Sequence, residues 1–128
     1  MSVELQLLVW SAGLAVLQLI FAIPATIAQI GLPTAAGNRE SMPEITGLAG
    51  RAIRAHRNML ESLVIFAILV LVANAVGRTN AETVLGAQMF FWGRVAFAGV
   101  YLAGIPWVRT ATWAVSMTGL GLIFLQLI

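Results

Sequence analysis

Four apolar stretches, each of roughly 20 residues or more, alternate along this chain with short polar breaks. They run over about Leu5–Ile30, Leu48–Val76, Ala81–Ala103 and Trp107–Ile128. Each is long enough to cross about 30 Å of hydrocarbon as a helix. The breaks are chemically plain: "GLPTAAGNRESMPEITG" is a Gly/Pro-rich polar loop, "GRTN" a short turn and "AGIP" a Gly-Pro corner. Pro24 falls inside the first stretch, where neighbouring helices can satisfy the carbonyl it frees. No internal repeat and no strand alternation interrupts the pattern. It predicts one domain over residues 1–128, an all-α integral membrane bundle of four transmembrane helices.

Composition agrees. Of 128 residues, 60% are hydrophobic and 9% charged, where soluble domains carry about 25% charge. All seven basic residues are arginines, so the cationic charge does not titrate in the useful range. A net charge of +2, with no basic stripe outside the apolar context, gives no footprint for nucleic acid. The absence of cysteine excludes disulfides, thiolate metal sites and a cysteine nucleophile. The first apolar stretch lacks a basic leading region, carries Glu4, and is too long for a cleaved signal, so it is expected to stay as a helix.

The arginines also give an orientation. Arg39, Arg51, Arg54 and Arg57 lie in or just after the first loop, and Arg109 just after the third. Those loops share one side of a four-span bundle, and the other side has only Arg78 near a boundary. The positive-inside rule puts the first and third loops in the cytoplasm and both termini on the non-cytoplasmic side.

The second stretch opens with "RAIRAHRNMLES" and then turns almost purely apolar. As a helix it is about 43 Å long, more than hydrocarbon requires, and the excess is the charged part. At 100° per residue, Arg51, Arg54, Arg57, Asn58 and Glu61 fall within a sector of about 120°, while His56 points largely the other way. An interfacial stripe of arginines snorkelling to lipid phosphates would account for Arg51. It accounts poorly for Asn58 and for Glu61, which lies deeper and which anionic headgroups would repel. Nor is Arg57–Glu61 a good helix pair, since the acid follows the base. Ionisable groups at membrane depth face a bundle interior or a wet cavity as a rule, and a mixed-sign stripe suits a zwitterionic ligand.

The third stretch adds Arg94, Phe97 and Tyr101 on one face. Arg94, inside the span, needs a partner, and Glu61 is the obvious acid, with Arg57 as Glu61's other candidate partner. Tyr101 is either a boundary aromatic or a site residue. Arg109 opens the fourth helix as either a cytoplasmic anchor or a site cation. Trp10, Trp92, Trp107 and Trp113 read as interface and packing aromatics, and the methionines as packing residues.

"RAHRNMLES" followed by an apolar helix resembles the second-helix signature of the MAPEG family, membrane-associated proteins in eicosanoid and glutathione metabolism. "GRVAFAGVYLAGIPWVRTATWAV" is similar to the third helix, corner and fourth-helix start of its microsomal glutathione transferase and prostaglandin E synthase branches. The resemblance implies a homotrimer of four-helix subunits, with glutathione as co-substrate bound between neighbours near the cytoplasmic side. It implies that Arg54, Arg57, Asn58 and Glu61 hold the tripeptide, with Tyr101 lining the same site; Arg94, inside the third span, is a further candidate for binding it. Arg109 matches the arginine that stabilises the glutathione thiolate in catalytic members, and Arg39 loosely matches a first-loop arginine reaching in from a neighbour. Small residues at Gly13, Gly93 and Gly119 would be free for close helix packing.

Two departures bear on activity. Family members often carry tyrosine or histidine where this chain has Phe97, and an aromatic hydroxyl near Trp113. The leading expectation is a glutathione-dependent transferase or peroxidase acting on lipophilic electrophiles or lipid hydroperoxides. The alternatives are a non-catalytic lipid-binding or scaffold member, or a small subunit of a larger membrane complex whose arginines bind lipid.

Overall fold

The computed structural model describes residues 1–38 and 42–128, and the described residues are helical, with no strand among them. The long helices are α1 (Val3–Ile30), α3 (Gly47–Ala75), α4 (Ala81–Ala103) and α5 (Pro106–Leu127). Their ends lie within two residues of those the apolar pattern predicts. The predicted first loop contains one turn of structure that the pattern missed, the short helix α2 (Leu32–Ala36). Pro33 sits in its first turn, where a missing N–H costs nothing.

Caps set the boundaries. The Ser2 hydroxyl accepts the Leu5 N–H at the start of α1. Asn80 and Thr83 exchange hydrogen bonds in a capping box that starts α4. Gly104 ends α4 at φ 76°, a left-handed conformation that costs glycine little, and Pro106 then opens α5.

Three helices, α1, α3 and α5, are long and apolar enough to cross a membrane. The sequence reading expected four spans. The fourth helix, α4, has sufficient length at 23 residues, but Gln88 and Arg94 dilute its apolar run. Large apolar side chains crowd the outside, among them Leu17, Ile20, Val64, Ile68 and Leu125. A surface of this kind is a liability in water and a natural contact for lipid tails.

The interior is built on Met59, Phe66, Val70, Phe90 and Ile123, all buried, with Phe66 and Phe90 stacked at 4.1 Å between centroids. The backbones of α4 and α5 approach closely. A Cβ at Gly86 would meet the Gly119 carbonyl and the Ile123 side chain, and one at Gly119 would meet the Gly86 carbonyl and the Phe90 backbone. Higher on the same seam Gly93 lies against Ser116, whose hydroxyl donates to the Phe90 carbonyl at 3.1 Å. Gly93 and Gly119 therefore serve close helix packing, as expected of them, and do so inside the subunit at the α4–α5 seam. Gly13 does remain open.

Polar side chains tie the end that carries the termini. Glu4 is 2% exposed and accepts the Thr83 hydroxyl at 2.8 Å. Ser2 donates to Asn74 at 2.9 Å and Asn80 to Gln126 at 2.8 Å. At the opposite end the Gln29 amide staples α1 to the start of α3. Its Nε2 donates to the Thr46 carbonyl, and its Oε1 accepts the Thr46 N–H. The two sets fix α1 and α3 as antiparallel neighbours.

Gly119→Ala should lower stability by about 1–3 kcal/mol, the usual cost of forcing atoms into a packed contact. Gly121→Ala, whose Cβ would meet nothing within 4 Å, should be neutral or slightly stabilising. Thermal unfolding of the two variants in detergent micelles checks the contrast, and equal loss in both would contradict the seam.

Candidate functional site

The first half of α3 runs antiparallel to the last turns of α4, so the arginine stripe meets the aromatic face that ends in Tyr101. Arg51 Nε donates to the Leu102 carbonyl at 3.2 Å. Arg54 Nε donates to the Tyr101 hydroxyl oxygen at 3.1 Å. From α5, the Arg109 guanidinium lies over the Tyr101 ring, 4.9 Å from its centroid, within cation–π range. Tyr101 is thus held by one arginine at its hydroxyl and a second at its face. Because Tyr101 accepts from Arg54, its own O–H remains available as a donor.

Beside this cluster is a cleft of about 300 Å³, lined by Asn58, Phe97, Tyr101, Arg109, Thr110 and Trp113. Its charge is one-sided. Arg109 lies in the first turn of α5, where the helix dipole already presents positive charge. A cation there adds to the dipole instead of opposing it, which suits an anionic ligand better than it suits the helix. The Asn58 Oδ1 is buried and has no donor, so it is an acceptor waiting for an N–H.

The seven residues singled out in the sequence separate in space. Asn58, Tyr101 and Arg109 line the cleft, and Arg54 adjoins it through Tyr101. Arg94 is off the cleft wall. Its guanidinium lies 4.2 Å from the centroid of Phe97, a ring that does line the cleft, and the residue is 1% exposed with all three guanidinium nitrogens unbonded. Arg57 lines a different cavity, about 410 Å³ between α1, α2 and α3, together with His56. Glu61 is exposed on the outer face of α3. The expected pairing of Glu61 with Arg94 or Arg57 is absent among the described residues. The reason is angular: Glu61 is at the middle of the stripe, facing away from the bundle, while Arg94 points into it. Arg39 lies outside the described residues.

Thr110 is a cleft residue that sequence reasoning missed. Its hydroxyl donates to the Pro106 carbonyl at 3.1 Å, and nothing in its sequence context distinguishes it from a helix-surface threonine. Phe97 and Trp113 were noted for the hydroxyls they lack, and both prove to form the apolar wall.

The model of the MAPEG family matches residues 7–128. No curated protein and no solved structure is a match for the chain.

With Glu61 exposed and unpaired, Glu61→Gln should change the stability of the ligand-free protein by no more than about 0.5 kcal/mol, as for an ordinary surface change. A buried ion pair losing one partner would instead cost about 3–5 kcal/mol. Thermal melts of the two proteins without ligand decide between these values.

Proposed function

The chain belongs to the MAPEG family, is an integral membrane protein, and from that premise we propose that it is a glutathione-dependent transferase or peroxidase. Its substrates would be lipophilic electrophiles or lipid hydroperoxides reaching the cleft from the bilayer. The observation that carries the reading is Tyr101 held between Arg54 and Arg109 on the wall of that cleft.

The donor set fits glutathione. The tripeptide brings two carboxylates, a thiol and amide N–H groups. Arg54 answers a carboxylate with a planar fork of donors. Asn58, on the cleft wall, brings a side-chain amide to the tripeptide's backbone amides. A volume of about 300 Å³ is at the lower end of small-molecule sites, roughly 300–1,000 Å³. Glutathione supplies the nucleophilic or reducing sulfur. Arg109 holds a fixed positive charge beside it and so favours thiolate over thiol. The Tyr101 hydroxyl, already accepting from Arg54, directs its proton toward the ligand. Phe97 and Trp113 keep water off one side and offer apolar surface to the lipophilic partner.

The assembly we propose is a homotrimer of four-span subunits with a cleft at each boundary. Arg54, Arg57 and Glu61 are exposed on the side of a single subunit, and an ionisable row at membrane depth calls for a protein neighbour or a wet cavity rather than lipid. The arginine-rich end faces the cytoplasm and the termini face the other side, by the distribution of arginines. Glu61 and Arg57 then reach the ligand across the boundary or from its rim.

One observation favours a second reading. Phe97 and Trp113 give the cleft two apolar walls where a hydroxyl would aid chemistry, which suits a non-catalytic lipid-binding or scaffold member of the same fold.

Arg109→Ala should leave glutathione affinity within a few-fold but abolish the ultraviolet thiolate band, while Arg54→Ala should weaken binding and leave whatever thiolate forms at saturation. If Arg109 lowers the thiol pKa by about two, at about 1.4 kcal/mol for each tenfold, losing it lowers a minor thiolate population about a hundredfold. Parallel losses of binding in both variants would make Arg109 a gripping residue only. If the unmutated protein binds no glutathione, the scaffold reading takes over.

Native mass spectrometry in mild detergent tests the assembly separately. A trimer is expected, and a monomer or dimer would count against a shared cleft.

A further inference from the structure

Arg94 poses a problem that the cleft does not solve. It is buried at 1% exposure with Nε and both Nη atoms unbonded, and a bare guanidinium inside a bundle is costly. Two other buried polar atoms lack partners among the described residues, Gln18 Oε1 on α1 and Asn58 Oδ1 on α3. These are acceptors, and Arg94 offers only donors.

The helix register brings the three groups to one depth. The Gln29–Thr46 staple sets α1 against α3, and about 17 Å farther into the bundle along each helix, at 1.5 Å per residue, come Gln18 and Asn58. The Arg51–Leu102 bond sets α3 against α4, and about 11 Å farther in come Asn58 and Arg94. A small, half-open cavity of about 30 Å³ lies on the Gln18 side of this level, lined by Gln18, Phe21, Ala52, Ala55, Ala98 and Leu102. Ala98 is one turn from Arg94 on the same face of α4. The volume is enough for about one water molecule, and the small alanine side chains leave the space open.

We propose that Gln18, Asn58 and Arg94 form one polar layer across α1, α3 and α4, closed by internal water. In it Gln18 is a positioning residue that holds the Arg94 guanidinium behind Phe97. The Arg94 charge then acts through the Phe97 wall on an anion in the cleft, at a range where the low-dielectric interior screens little. The layer accounts for all three orphaned groups at once. It also gives Gln18, an uncharged residue in the most apolar helix, a reason to be there. The effect on an anion rests on the glutathione reading; the layer itself does not.

The test therefore has a ligand-free arm and a ligand arm. In the ligand-free arm, thermal melts in detergent compare Gln18→Leu, Arg94→Leu and the double variant. A shared layer makes the losses non-additive, the double variant melting no lower than the worse single one. Additive losses would overturn the layer. In the second arm, Gln18→Glu places an acid beside the guanidinium. It should raise the melting temperature while weakening glutathione binding several-fold, because the charge that favoured the ligand is now neutralised. A merely structural role would move stability and binding in the same direction, and that result, or unchanged affinity, would overturn the electrostatic effect. Should the unmutated protein bind no glutathione, the melts still read the layer alone.

Discussion

Charge cannot be stranded in hydrocarbon, and most of this molecule follows from that constraint. A bare ion in a low-dielectric medium costs far more than any single contact returns, so each of the described charged groups must find an end, a partner or a wet cavity. Arg51, Arg54 and Arg109 gather at one end and spend hydrogen bonds or ring contacts on α4. Glu4 is buried near the other end under the Thr83 hydroxyl. Among the described charges Arg94 is the one buried with no hydrogen bond, and its surroundings organise around it: Phe97 against its face and the orphaned acceptors of Gln18 and Asn58 at its depth.

The same constraint explains why α4 differs from its neighbours. A helix that faced lipid all round could not carry Gln88 and Arg94. This one packs on α5 along a glycine seam and on α1 and α3, which together bury Arg94. Leu85, Trp92 and Val95 keep an exposed face, on which Gln88 accepts the Trp92 indole N–H. Close approach at Gly86 and Gly119 brings the two backbones together without large side chains between them, which sets Arg109 at the start of α5 directly across from Tyr101 near the end of α4. The arginine–tyrosine contact is in that sense a product of the seam below it.

The fold was legible because its signal is one-dimensional. Apolar length gives a helix, and Gly, Pro and Asn give its ends, so the boundaries came out close. Short α2 escaped because five residues carry too little periodicity to register. At the site, the angular sector found the α3 stripe but could not say which edge of it faces which neighbour. Asn58 at one edge turned toward α4, Arg57 at the other toward α1 and α2, and Glu61 between them outward. That partition depends on where the adjacent helices stand, which a single helix cannot encode. The Glu61–Arg94 pairing failed for the same reason, since complementary charge says nothing of direction. Gln18 went unnoticed because one glutamine in an apolar run looks like tolerated polarity until the atoms around its oxygen are known.

The bonds at the termini have a mechanical consequence. Ser2–Asn74, Glu4–Thr83 and Asn80–Gln126 clamp all four long helices at one end, and the aromatic stack of Phe66 and Phe90 stiffens the middle. Toward the other end, α3 and α4 are joined by two single-donor arginine bonds. Side-chain bonding is therefore graded along the bundle, linking all four helices at one end and, at the other, leaving α1 stapled to α3 by Gln29 and α3 held to α4 by arginines alone. A group that had to pass between α3 and α4 would meet the fewest side-chain bonds beside Tyr101, while the far end keeps the helices in register.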